Sequence, residues 1–144
     1  MWTEIKSDAD LEWLLKLYAS FHDSCLRDLH ISTKEFVDEE RAMSFDNKNV
    51  ATLLFQRQAK ENPVLELKFE DVERFNFNPP EMYGGVIFEA TFKKENDLYY
   101  WSDEDYWGIG DNEANWISAK KVFWRLRPEL LGNISRLKPE ELSC

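Results

Sequence analysis

The sequence predicts an α+β fold in which an N-terminal helix packs on a curved, mainly antiparallel sheet of six to seven strands. Three observations carry this prediction. Helical periodicity of apolar residues is confined to the chain before residue 22. After it the apolar period falls to two, which is the period of strands with one buried face. The connections between these segments are mostly too short for parallel crossovers, which need about a dozen residues.

The helix is read over residues 10–21. Leu11, Leu14, Leu15 and Tyr18 recur at helical spacing, and Leu17 and Phe21 widen the stripe. Ser7 followed by Asp10 resembles a capping box, with Asp in place of the usual Glu or Gln. Asp8 and Asp10 also suit the positive end of the helix dipole. A first strand follows over 25–31, with Cys25, Arg27, Leu29 and Ile31 on one face and Leu26, Asp28 and His30 on the other. The polar stretch 32–49 is expected to extend this strand through Val37 and to begin the next before Val50. Asp46, Asn47, Lys48 and Asn49 signal a turn within it.

Strands are then expected at 50–58, with Ala51, Leu53 and Phe55 together, and at 65–70, where Leu65, Leu67 and Phe69 alternate with Glu66, Lys68 and Glu70. A shorter strand at 74–77 ends at Pro79-Pro80, because proline cannot donate to a ladder. Gly84-Gly85 leads into a strand over 86–93, with Val86, Phe88, Ala90 and Phe92 on one face. Asn96-Asp97 turns it into 98–101. The last strand, 116–127, sets Ile117, Ala119, Lys121 and Phe123 against Lys120, Val122, Trp124 and Leu126. Beyond Pro128 a turn of helix and a loose tail are expected to residue 142. With 144 residues and no repeat, residues 1–144 form one domain. A chain of this size hides roughly two thirds of its surface without metals or disulfides.

Charge narrows the function. Acidic residues outnumber basic ones 28 to 18, a net charge of −10. This repels phosphate backbones and anionic lipid, so neither nucleic acid nor membrane is an expected partner. It favours a cationic one. Cys25 and Cys144 are too few for a disulfide framework and are expected as free thiols. The segment Met1 to Asp8 lacks the basic start and apolar run of a signal peptide, and the expected location is the cytoplasm.

Residues 102–115 are the most distinctive segment. Asp103, Glu104, Asp105, Asp111 and Glu113 stand there without a Lys or Arg, interleaved with Tyr106, Trp107 and Ile109 and with Gly108 and Gly110 as pivots. As a calcium loop it fails, because Trp107 and Ala114 occupy the fifth and twelfth ligand places. As an interface it is coherent: aromatics anchor while carboxylates steer a cationic partner. Asp103, Asp105, Tyr106, Trp107, Asp111 and Glu113 are therefore the candidate partner-binding residues. The plain alternative is a solvated loop between strands.

A second candidate is a small-ligand or enzymatic cleft built from His22, Asp23, Asp28 and His30. His22 close to Cys25 suggests an activated thiol, but the chain has two His and no signature of a cysteine enzyme. The simpler reading has His22 and Asp23 fastening the helix–strand junction and Asp28 and His30 facing solvent. No metal-ligand spacing, GxSxG, Walker or HExxH motif is present, and no metal or cofactor is implied. The cluster Lys120, Lys121, Arg125 and Arg127 is expected to pair with nearby carboxylates or to blunt an edge strand. A third reading is a homodimer paired through surface aromatics.

The order of segments carries a resemblance. FHDSCLRDL at 21–29, LLFQRQ at 53–58, LELKFEDVERFNF at 65–77 and WISAKKVFWR at 116–125 resemble, over most of the chain, a group of small, largely uncharacterised proteins of Gram-positive bacteria. More distantly, FHD before a strand and the strand–turn–strand at 65–77 resemble immunity proteins of polymorphic toxin systems. That resemblance implies tight binding to a toxin, here a basic domain such as a nuclease, and supplies no catalytic residue.

Overall fold

The computed structural model describes residues 1–45, 48–82 and 84–136. Asp46 and Asn47 of the expected turn, and the tail with Cys144, lie outside the described residues. Strand β1 (Thr3–Glu4) leads into helix α1 (Asp8–Leu17). Ser7 caps the helix: its Oγ accepts from the Asp10 amide at 3.1 Å, and Asp10 Oδ2 accepts from the Lys6 amide at 2.9 Å. Asp10 thus reaches past the Ser7 amide that Glu takes in a capping box and bonds the amide one residue earlier. Leu11, Leu14 and Tyr18 are buried beneath the helix.

The helix stops at Leu17, earlier than the sequence predicts. Ala19–Phe21 form one tight turn with φ of 50°, 51° and 63°. Left-handed backbone is unfavourable for residues with a Cβ, and no Gly marks this one. Burial holds it: Phe21 is fully buried and meets Tyr18, Phe55 and Trp101 with ring centroids 4.9–5.8 Å apart. Removing a Phe side chain from water contributes about 1.5–3 kcal/mol, comparable to the strain.

Seven strands make one antiparallel sheet in the order β2 (Ser24–Ser32), β5 (Val50–Arg57), β6 (Val64–Asn76), β9 (Trp116–Leu126), β8 (Leu98–Ser102), β7 (Thr91–Glu95), with β1 added to β9. β3 (Phe36–Val37) and β4 (Met43–Ser44) form a separate hairpin rather than extending their neighbours. The expected hairpin at Asn96-Asp97 is present, and both residues have positive φ, as a two-residue turn with the right twist requires. The sheet curls until residues 84–90 link its edges. Ile87 N donates to Ser24 O at 2.7 Å and Ala90 N to Ser20 O at 2.9 Å.

Irregularities correct several assignments of face. In β2 the register shifts between Leu26 and Asp28, leaving Arg27 as an extra residue. Leu26 therefore joins Leu29 and Ile31 against the core, while Asp28 and His30 take the outer face. The two strands expected at 65–70 and 74–77 are one, bent at Asp71 (φ 55°) with a further register shift before Arg74. Opposite the bend, Lys120 and Lys121 are both exposed, and the buried set on β9 passes from Ile117 and Ala119 to Val122. The strand expected at 86–93 begins only at Thr91. Val86 and Phe88 are exposed because 84–90 is the linking segment, from which Ile87 and Ala90 face inward. β9 is also an interior strand, so its basic residues blunt no edge.

The outer face is covered as well. Residues 103–115 fold over β8 and β9, enclosing Tyr100, Trp107, Ala114 and Trp116 in a second small core. After a single turn at Pro128–Leu130, the chain crosses the outer face of β5 and β2: Gln56 Nε2 donates to the carbonyls of Leu130 and Gly132 at 2.9 and 2.8 Å. No helix among the described residues is long and apolar enough to cross a membrane.

Candidate functional site

The loop 103–115 is fastened at its base and its middle. Asp103 accepts from the Asn115 amide at 3.2 Å and from Asn115 Nδ2 at 3.0 Å. Asn76 Nδ2 donates to the carbonyls of Asn112 and Ala114 at 2.6 and 2.9 Å, and Asn78 N donates to Asn115 Oδ1 at 2.7 Å. Thr91 on β7 holds the near limb, its Oγ1 donating to Glu104 O at 2.7 Å and accepting from Trp107 N at 3.1 Å.

Trp107 is the central fastening. It is 3% exposed, stacks between Tyr100 and Trp116 at 5.9 and 5.2 Å, and donates Nε1–H to Asp111 O at 2.8 Å. Of the six candidate binding residues, Trp107 and Asp103 thus build the loop. Tyr106 is its opposite, 95% exposed and held at φ 55°. Asp105, Asp111 and Glu113 are exposed around it. Gly110, at φ +104°, makes the sharp turn, while Gly108 does not have a positive φ.

The carboxylates form a field. Among the described residues none of the five takes part in a salt bridge. Lys93 approaches the Trp107 ring at 5.8 Å but pairs its ammonium with Glu95 at 3.4 Å. Partial desolvation, then the charges of Asp103, Asp111 and Glu113, hold the Glu104 carboxyl above the usual range. Asp103 is also raised by burial, against which its bonds from Asn115 act.

Beside the loop lies a groove of about 420 Å³ between residues 78–87 and 103–115. It is lined by Cys25, Leu26 and Trp101 and by the acids Glu81, Asp103, Glu104 and Glu113, with no Lys, Arg or His in the lining among the described residues. Glu81 and Trp101 were not singled out by sequence. Pro79-Pro80 and Gly84-Gly85 mark only an irregular segment, and nothing in their spacing says that it faces the acidic loop.

The second candidate set is divided by the structure. His22 Nδ1 lies 2.6 Å from Phe88 O and its Nε2 3.3 Å from Asp23, so this pair fastens the helix–strand junction to the linking segment. Asp28 and His30 stand well along β2, past the extra residue Arg27, on its outer face. They border a different cavity, of about 320 Å³. Among the described residues no three of His, Cys, Asp or Glu converge as metal ligands.

The chain matches no protein-family model, no curated protein and no solved structure. Its fold and side chains are therefore the whole basis of a functional reading.

Proposed function

We propose that the protein is a non-catalytic binding module that grips a basic partner protein through the loop 103–115, as an immunity protein grips a toxin domain. The observation that supports this best is Tyr106, 95% exposed in a left-handed conformation, on a loop locked by the buried Trp107 whose five carboxylates form no salt bridge among the described residues. Strained, solvent-facing residues in an over-determined setting cluster at recognition sites. With the backbone of Tyr106 already fixed by its neighbours, binding has only two side-chain torsions to order, a small cost for so large an amphipathic group. The carboxylates steer a cationic surface towards it.

The test is direct binding to the product of the adjacent gene, with growth protection on co-expression. Tight, salt-sensitive binding is expected, weakened at least about tenfold by Tyr106→Ala and slowed in association by Asp105→Asn with Asp111→Asn and Glu113→Gln. No binding, or binding and protection untouched by these variants, overturns the proposal.

A further inference from the structure

The outer face of the sheet holds a buried charge cluster. Register places Asp28, Leu54, Glu66 and Arg125 in one row across β2, β5, β6 and β9. Glu66 is 2% exposed and receives Arg125 Nε at 2.5 Å and Arg127 Nη1 at 3.1 Å. The third cation comes from elsewhere in the chain. Arg136 reaches in from the segment that crosses the outer face, and every N–H of its guanidinium finds an acceptor. Nε and Nη2 bond the two oxygens of Asp28; Nη1 bonds Glu66 Oε2 at 2.5 Å and Thr52 Oγ1 at 3.0 Å; Nη2 also faces Thr52 O at 3.4 Å. A fork–fork carboxylate, a second carboxylate and two Thr oxygens match the five donors of a planar guanidinium. An ammonium has three donors in another geometry, and a urea lacks the charge.

The acceptors all lie on rigid strands, whereas the guanidinium is delivered by residues 131–136. That segment buries no apolar side chain fully; Leu131 and Ile134 are 49% and 42% exposed. Its anchors are polar: Gln56 to the carbonyls of Leu130 and Gly132, Arg27 to Asn133, and Arg136 itself. Lifting it forfeits only the partial burial of Leu131 and Ile134 and some cover over Leu54, and the cavity of about 320 Å³ beside Asp28, His30 and Thr52 leaves room for an entering group. We infer that Asp28, Thr52 and Glu66 form a guanidinium-binding site which Arg136 plugs, and that an arginine side chain from a partner protein takes Arg136's place.

This site is separate from the loop, and its test uses no partner, so the two readings fail separately. Arg136→Ala empties the site, and N-acetyl-arginine amide is the probe, with the lysine and citrulline amides as controls. Titration followed by NMR is expected to show saturable shifts at Asp28 and Thr52 with the arginine amide alone. Asp28→Asn in the same background abolishes them. The wild type binds at least about tenfold more weakly, because the plug must leave first. Equal response to all three amides, persistence in the Asp28→Asn variant, or wild-type binding as tight as that of Arg136→Ala overturns the inference. Should Arg136→Ala not fold, the wild type carries the test. Arginine amide is then expected to speed amide exchange across residues 131–136 and citrulline amide to leave it unchanged, and exchange unaffected by both overturns it.

Discussion

Tyr106 and Trp107 are adjacent in sequence and opposite in role, and substitution separates them. Trp107→Ala removes the stacking against Tyr100 and Trp116 and the bond to Asp111 O. It is expected to cost about 3–5 kcal/mol in denaturant unfolding. Tyr106→Gly relieves a left-handed Cβ at φ 55° and is expected to leave stability within about 0.5 kcal/mol or raise it, while binding is lost. Glu104 offers a check by titration. Its carboxyl is raised by partial desolvation and by Asp103, Asp111 and Glu113, so Asp111→Asn with Glu113→Gln is expected to lower its NMR midpoint towards the ordinary value. A raised acid is a liability above its folded midpoint that fades as pH falls. Removing those neighbours therefore stabilises the protein above that midpoint and does nothing once Glu104 is protonated. Residue types made the loop visible in the sequence, but they could not separate anchors from fastenings. Tyr and Trp look alike until the sheet face beneath them is known to be aromatic.

At the scale of elements, periodicity found the helix, the turn at Asn96-Asp97 and the strands at 50–57 and 116–126, but the helix ends at Leu17, the strand read from Val86 starts at Thr91, and the buried face of β9 changes at Lys120 and Lys121. It failed where the alternation is broken: the extra residue Arg27 in β2 and the left-handed bend at Asp71 in β6 each move it by one, and neither is a Gly or Pro. The covered outer face left one trace. Leu53, Leu54 and Phe55 form an unbroken apolar run, as expected when both faces of a strand are buried. Nothing marked Glu66 as the acceptor of three guanidiniums gathered from β9, the residue just after it and the crossing segment. Glu66→Ala would leave those cations together without their common counter-charge and is expected to cost about 3–5 kcal/mol, measured by chemical unfolding. Ser7→Ala removes the helix cap and is expected to cost about 1 kcal/mol by the same measurement.

At the scale of the whole molecule, β1 and β9 pair residues far apart in sequence, Thr3 with Trp124, so this contact closes a very long loop. Folding dominated by such distant pairings takes on the order of milliseconds to seconds, and stopped-flow tryptophan fluorescence is expected to fall in that range. The −10 charge acts at the same scale. Steered association with a cationic partner is expected to slow about tenfold or more as ionic strength rises, with dissociation less affected.

The extra residue in β2 has an effect beyond its own ladder. β2 is an outermost strand of nine residues, and a straight strand in that position is a template for fibre-like growth between copies. Ile87 already bonds Ser24 at the start of this edge, and the kink at Arg27 spoils the template beyond it by twisting the strand out of line. Deleting Arg27 would keep Leu26 and Leu29 facing inward while straightening the rim, so concentrated samples of the deletion variant are expected to aggregate where the parent chain stays dispersed.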